Sequence, residues 1–195
     1  MNNKDIENYI TTFIYDGSGG GFICNDIRKA IDNGLNYLTA LGLLSYTEFI
    51  GSLMPQFLSN LAATNTMRGT KANFYKFYYR LGDSYSLFDR RLVEWLGDNN
   101  GVYTVYRGGL SHSYFIGGNL TIGTTRLNLS SVVAKTSNSS MGFTQEGKLG
   151  FATEKYFDDF LNVSSFFRKK ILVEQDEEWI NAFLDGSNLR THSLG

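Results

Sequence analysis

The segment Val102-Tyr-Thr-Val-Tyr-Arg-Gly-Gly-Leu-Ser-His-Ser-Tyr-Phe115 places Arg107 five residues before His112, one of only two histidines in the chain. Histidine titrates near neutrality and can take or give a proton, while a guanidinium is a fixed cationic fork suited to a phosphate or to the extra charge of a phosphorane. Together they suffice for metal-free cleavage of RNA by its own 2'-hydroxyl. Residues five apart in an ideal α-helix differ by about 140° in azimuth, so the two do not stack, but both can border one groove or a two-fold seam. Spacing alone leaves another reading open, in which both are ordinary helix-surface residues.

Gly108 and Gly109 lie between them. A glycine inside a helix costs roughly 0.5–1 kcal/mol relative to alanine, and close approach of another backbone is the simplest compensation. Glu48, in an apolar helical stretch, is a candidate buried carboxylate. It would pair with Arg107 or orient His112, or else pair with Arg80 or Arg90 for structure alone. Phe74-Tyr-Lys-Phe-Tyr-Tyr-Arg80 could stack bases and neutralise phosphates, or be a core helix with two solvated cations. Asp16-Gly-Ser-Gly-Gly-Gly21 lacks the Gly-Lys-Ser/Thr that a phosphate-binding loop needs at its helix and reads as a flexible turn. With one cysteine and two histidines, no metal site or cofactor is expected. Cys24 reads as a buried apolar thiol, and His192 has no assigned role.

The elements that must position these groups are mostly helical. Ile6, Tyr9, Ile10, Phe13 and Ile14 share one helical face over residues 3–15. From an Asn25 or Asp26 cap, one long central helix is expected to run towards Pro55, apolar nearly all round between Tyr37 and Gly51. Residues 74–81 and 85–96 predict two helices separated by a Gly82-Asp-Ser84 capping signature, and 102–116 a further helix carrying the Arg/His motif. Short alternating runs at Leu120-Thr-Ile122 and Leu127-Asn-Leu129, a polar gap at Lys135–Ser140 and a hairpin turn at Gln145–Lys148 then suggest β-structure. Helical periodicity returns over 153–172, and a short helix follows at Glu177–Leu184.

The expected fold is therefore mainly α, a single domain over 1–195. Its helical core spans about 26–116 and 153–172, and a small β-hairpin insertion at about 119–151 precedes the last long helix. The 195 residues suit one domain, and 42% hydrophobic content with 15% aromatic residues excludes a disordered chain. A formal net charge of -1 supplies no global attraction to nucleic acid, so any such contact must be local. The acidic residues near the N-terminus and the lack of an 18-residue apolar run point to a cytoplasmic protein with no membrane span.

A helical bundle ending in Tyr106-Arg107-Gly-Gly-Leu-Ser-His112-Ser-Tyr114 resembles the HEPN superfamily, whose signature is Arg-x4-6-His. The resemblance implies a homodimeric α-helical bundle, in many members a metal-independent endoribonuclease of toxin–antitoxin or phage-defence systems, with the motif at the dimer seam. Carried over, Arg107 would stabilise the phosphate and His112 act as acid and base, with Glu48, Ser111 and Tyr114 supporting. His112-Ser113-Tyr114 also fits the Arg-x4-His-x-Tyr pattern whose tyrosine a partner antitoxin adenylylates; an ordinary core or surface tyrosine is the other reading. The family commonly has a polar residue after the arginine, where this chain has Gly108. RNA would be the substrate, and an antitoxin or defence protein a partner. Two readings without catalysis stand beside this one: a silent module that binds RNA, a nucleotide or a protein, and a structural dimer packed through Gly108 and Gly109.

Overall fold

The structure is a computed structural model, and it describes residues 3–56, 69–97, 100–110, 120–123, 139–143 and 148–191. Helices dominate. In chain order they are α1 (Asn3–Tyr9, extended by a π-helical turn Ile10–Ile14), α2 (Phe22–Asp32), α3 (Asn36–Gly51), α4 (Gly69–Tyr78, with a 3-10 turn Tyr79–Leu81) and α5 (Asp83–Leu96). The π-helical α6 (Tyr103–Gly108) follows, then α7 (Thr153–Arg168, extended by a π-helical turn Lys169–Val173) and α8 (Glu177–Thr191). Three strands, β1 (Leu120–Gly123), β2 (Met141–Phe143) and β3 (Leu149–Ala152), lie between α6 and α7.

The expected long central helix is two helices. The Gly34 amide donates to the Ile31 carbonyl and the Leu35 amide to the Ala30 carbonyl, each at 2.9 Å, with Gly34 at φ +67°. This 5→2 and 6→1 pair is a Schellman motif, and it ends α2 because glycine reaches the left-handed region without a Cβ clash. Helix α2 also starts earlier than the Asn25 or Asp26 cap: Asn25 donates its amide to Gly21, and Asp26 accepts from the Tyr46 hydroxyl at 2.8 Å. Gly82, at φ +129°, immediately precedes α5, so Asp83 and Ser84 lie inside the helix, and no side chain caps it. The last helix extends to Thr191, well past Leu184.

β2 and β3 pair antiparallel with Met141 opposite Phe151, as a hairpin requires, while most of the expected turn at Gln145–Lys148 lies outside the described residues. The sheet order is β1-β3-β2, because β1 joins the far edge of β3 in parallel, with Ile122 opposite Phe151. Alternation marks a strand but not its partner, so this parallel pairing was not legible. The predicted Leu127–Leu129 run lies outside the described residues.

The described contacts gather into two compact units whose boundaries fall within α2, α3, the 3-10 turn after α4, and α7. The first comprises Met1–Asp26, Tyr46–Arg80 and Phe160–Gly195. Its core takes Ile6, Ile10 and Ile14 from α1 and its π-helical turn, Phe74, Phe77 and Tyr78 from α4, and Phe183 from α8, all buried. Glycines set its closest helix contacts. A Cβ on Gly51 would lie 1.8 Å from the Asn73 carbonyl oxygen, and one on Gly186 2.3 Å from that of Ser52. The second unit comprises Ile27–Ser45 and Leu81–Asp159. There α5 turns Tyr85, Phe88, Asp89 and Leu92 inward, and the Phe151 ring on β3 meets Tyr106 and Tyr156 edge-on.

Candidate functional site

Arg107 belongs to the second unit and sits, half-buried, in the last turn of α6. The helix beneath it is tied at three places. At its start, the Asp89 carboxylate, 5% exposed on α5, accepts the backbone amide of Val102 at 2.7 Å. This satisfies one of the amides that the first turn leaves without a partner and places negative charge at the positive end of the helix dipole. In the middle, Tyr106 is fully buried with its ring edge-on to Phe88 and Phe151, and its hydroxyl donates to the Gly150 carbonyl at 3.3 Å. Burial pushes that phenol well above its usual pKa of 10.0, so it stays a neutral donor. Beyond α6, the Tyr37 hydroxyl donates to the carbonyl of Leu110.

Val102, Tyr106 and Leu110 are buried as the helical period predicts, while Val105 is half-buried. Two details differ from expectation. Tyr103–Gly108 is in π register, bonded five residues apart, so the 140° azimuth of an ideal α-helix does not carry through it. Among the described residues, a Cβ on Gly108 would meet the Tyr103 carbonyl oxygen at 3.7 Å, an ordinary contact, so no described backbone makes the close approach expected there.

His112, Ser111 and Tyr114 lie outside the described residues. Glu48 is half-buried on α3 and falls in the first unit, whereas Arg107 falls in the second. Arg80, one of the structural partners considered for Glu48, holds its guanidinium 4.9 Å from the centre of the Trp179 ring and donates to the Pro55 carbonyl at 3.3 Å. Burial lowers its pKa to about 10, partly offset by nearby Glu178, and it remains a cation at neutral pH.

The Phe74–Arg80 segment is core. Phe74, Tyr75, Phe77, Tyr78 and Tyr79 are all buried, with Phe77 against Phe160 at 5.0 Å, so no ring there is available to stack on a base. Its two cations are not fully solvated either, for burial lowers the pKa of Lys76 as well. The glycine run closes on itself. The Asp16 carboxylate accepts the amides of Ser18 at 2.7 Å and Gly20 at 2.8 Å, occupying the donors a phosphate would require. Cys24 is fully buried, as expected of an apolar thiol.

Two groups escaped the sequence reading. Asp89 is one; its signal was a carboxylate on the apolar face of α5, between Phe88 and Leu92 and four residues after Tyr85. The other is a polar cluster in which Tyr85 donates to Asp159 and contacts Ser140 at 2.9 Å, while Lys155 pairs with Asp159 at 3.0 Å. Burial, reinforced by Asp159, pushes the Tyr85 phenol far above its usual range and keeps it a donor. It joins α5 to α7 and to the residue before β2. Nothing in local periodicity signals so distant a pairing.

Among the described residues no group of three or more His, Cys, Asp or Glu side chains could hold a metal ion, and no helix is long and apolar enough to cross a membrane. No protein-family model matches the chain, and neither a curated protein nor a solved structure matches it.

Proposed function

We propose that the protein is a HEPN-like, homodimeric, metal-independent endoribonuclease of toxin or phage-defence type, acting in the cytoplasm through Arg107 and His112. The observation that carries the reading is the three-point anchoring of the helix beneath Arg107 by Asp89, Tyr106 and Tyr37. A catalytic cation works best when its backbone is fixed before the reaction, so that stabilising the transition state costs no reorganisation. The mainly helical fold and the Arg-x4-His spacing agree with it.

In the proposed reaction, the 2'-oxygen attacks the adjacent phosphorus as His112 removes its proton. Arg107 stabilises the phosphorane, the bond from phosphorus to the 5'-oxygen breaks, and that oxygen leaves with the proton that His112 took up and now returns as the acid. The products are a 2',3'-cyclic phosphate and a 5'-hydroxyl. Ser111 would support the pair, and Tyr114 would offer an antitoxin partner its modification site.

The test is incubation of wild type, Arg107→Ala and His112→Ala with single-stranded and transfer RNA in EDTA, followed by end-group analysis. Cyclic phosphates are expected from wild type, with roughly a 10²–10⁴-fold loss in His112→Ala, the usual contribution of a general acid or base. Equal rates in all three proteins would remove the ribonuclease reading. A second reading, a silent module binding RNA, a nucleotide or a protein, draws on Gly108, which occupies the place where the resembled family commonly carries a polar residue. It expects no cleavage by wild type and a gain in Gly108→Asn.

A further inference from the structure

Helix α5 has two faces of different kinds. The inward face carries Tyr85, Phe88, Asp89 and Leu92. At 100° per residue, Leu87, Arg90, Arg91, Glu94 and Trp95 fall together within about 140° on the opposite side, and all five are exposed. Trp95 is 59% exposed and Leu87 41%, although tryptophan is ordinarily well covered in a folded protein. The Trp95 ring meets Phe143 edge-on, 5.3 Å between centroids at 83°, and leaves much of its surface open. Among the described residues, neither Arg90 nor Arg91 makes a hydrogen bond or an ion pair. Two carboxylates share the face, Asp83 in the first turn and Glu94 beside Trp95, so its four charges balance and the two arginines sit side by side between them.

We infer that this face of α5 is a docking track for single-stranded RNA, with Trp95 stacking on a base and Arg90 and Arg91 holding the flanking phosphates. An open aromatic ring beside exposed cations is a combination that binds single strands, because every base has a π face and every nucleotide a phosphate. In a chain of net charge -1 any attraction to an anionic polymer must be local, and on this face it comes from the adjacent Arg90 and Arg91. The same helix turns Asp89 inward to cap the segment that carries Arg107, so a strand on the outer face would rest on the element that positions that arginine. The inference rests on the ribonuclease reading for its substrate, but its test does not need cleavage.

The measurement uses full-length His112→Ala protein, a labelled oligouridylate and fluorescence anisotropy at low salt, with intrinsic tryptophan emission recorded in parallel. Trp179, the other tryptophan, is 6% exposed behind Arg80, so quenching by the oligonucleotide reports on Trp95. Binding is expected, with about a 5- to 100-fold loss of affinity in Trp95→Ala. In Arg90→Gln/Arg91→Gln, the slope of log affinity against log salt should shrink by about 1.4, from two fewer phosphate contacts at about 0.7 each. Unchanged affinity in both variants, or the absence of binding, overturns the inference. So does self-association that Trp95→Ala abolishes without any RNA binding, which would give the face to a second copy. Binding through this face with no cleavage by wild type would remove the ribonuclease reading alone; cleavage indifferent to these substitutions would remove the track alone.

Discussion

Replacing Gly108 by alanine separates a glycine needed for packing from one that is not. Among the described residues, the added Cβ would meet the Tyr103 carbonyl oxygen at 3.7 Å, and Gly108 does not adopt a positive φ. The native backbone therefore accepts alanine without strain. The substitution should stabilise the chain by removing freedom from the unfolded state and raising helix propensity, by about 0.5–1 kcal/mol. For chains of 150–250 residues, 1 kcal/mol moves Tm by about 2–4 °C, so Gly108→Ala should melt about 1–4 °C above wild type. Circular dichroism at 222 nm gives the melt, and light scattering after size exclusion gives the oligomeric state at the same concentration. A fall in Tm together with dissociation of a dimer would refute the reasoning, for it would mean that the backbone of a second copy packs against Gly108 where no described residue of its own chain does. That result would favour a structural role for the glycine pair at a dimer seam.

Two other substitutions test the supports. Asp89→Ala removes the acceptor of the Val102 amide and should cost about 0.5–2 kcal/mol; Asp89→Asn, which keeps an acceptor oxygen, should lose less, and equal melting temperatures for the two would contradict the capping role. Asp16 is held below its ordinary value of 3.8 by the Ser18 and Gly20 amides, so its contribution to stability is complete above that value and fades as pH falls through the lowered one. Melts of Asp16→Ala and wild type should accordingly differ by a constant gap above about pH 5 and converge in acid; a gap independent of pH would show that the carboxylate charge is not what closes the loop.

Periodicity made the helices legible. The apolar spacing in α1, α5 and α7 and the buried set Val102, Tyr106 and Leu110 could be read from sequence because burial of one face repeats with the helical turn. The Gly34 break was missed because the apolar rows on either side run on across it, although Asn33-Gly34 is itself a C-cap signal. The β1–β3 pairing and the Tyr85–Asp159 contact escaped for a different reason: they join residues that are far apart in sequence, and no local pattern encodes them. The candidate site divides in the same way. Arg107 could be picked out by residue type and spacing, but the groups that hold its helix, Asp89 and Tyr37, come from other elements and become visible only when those elements are packed.

The burial of Cys24 makes the thiol a clock. Its Sγ lies 3.2 Å from the Ile14 carbonyl oxygen, the same carbonyl that a Cβ on Gly21 would strike, so the sulfur is sealed beneath the turn joining α1 to α2. A water-soluble alkylating reagent can reach it only while that turn stands open, which makes the labelling rate under native conditions a measure of how often the N-terminal helix lifts. Because the chain has one cysteine, a molecule that has reacted is recognised by a single mass increment on the intact protein. The time course can be read in the unaltered sequence, with no probe introduced.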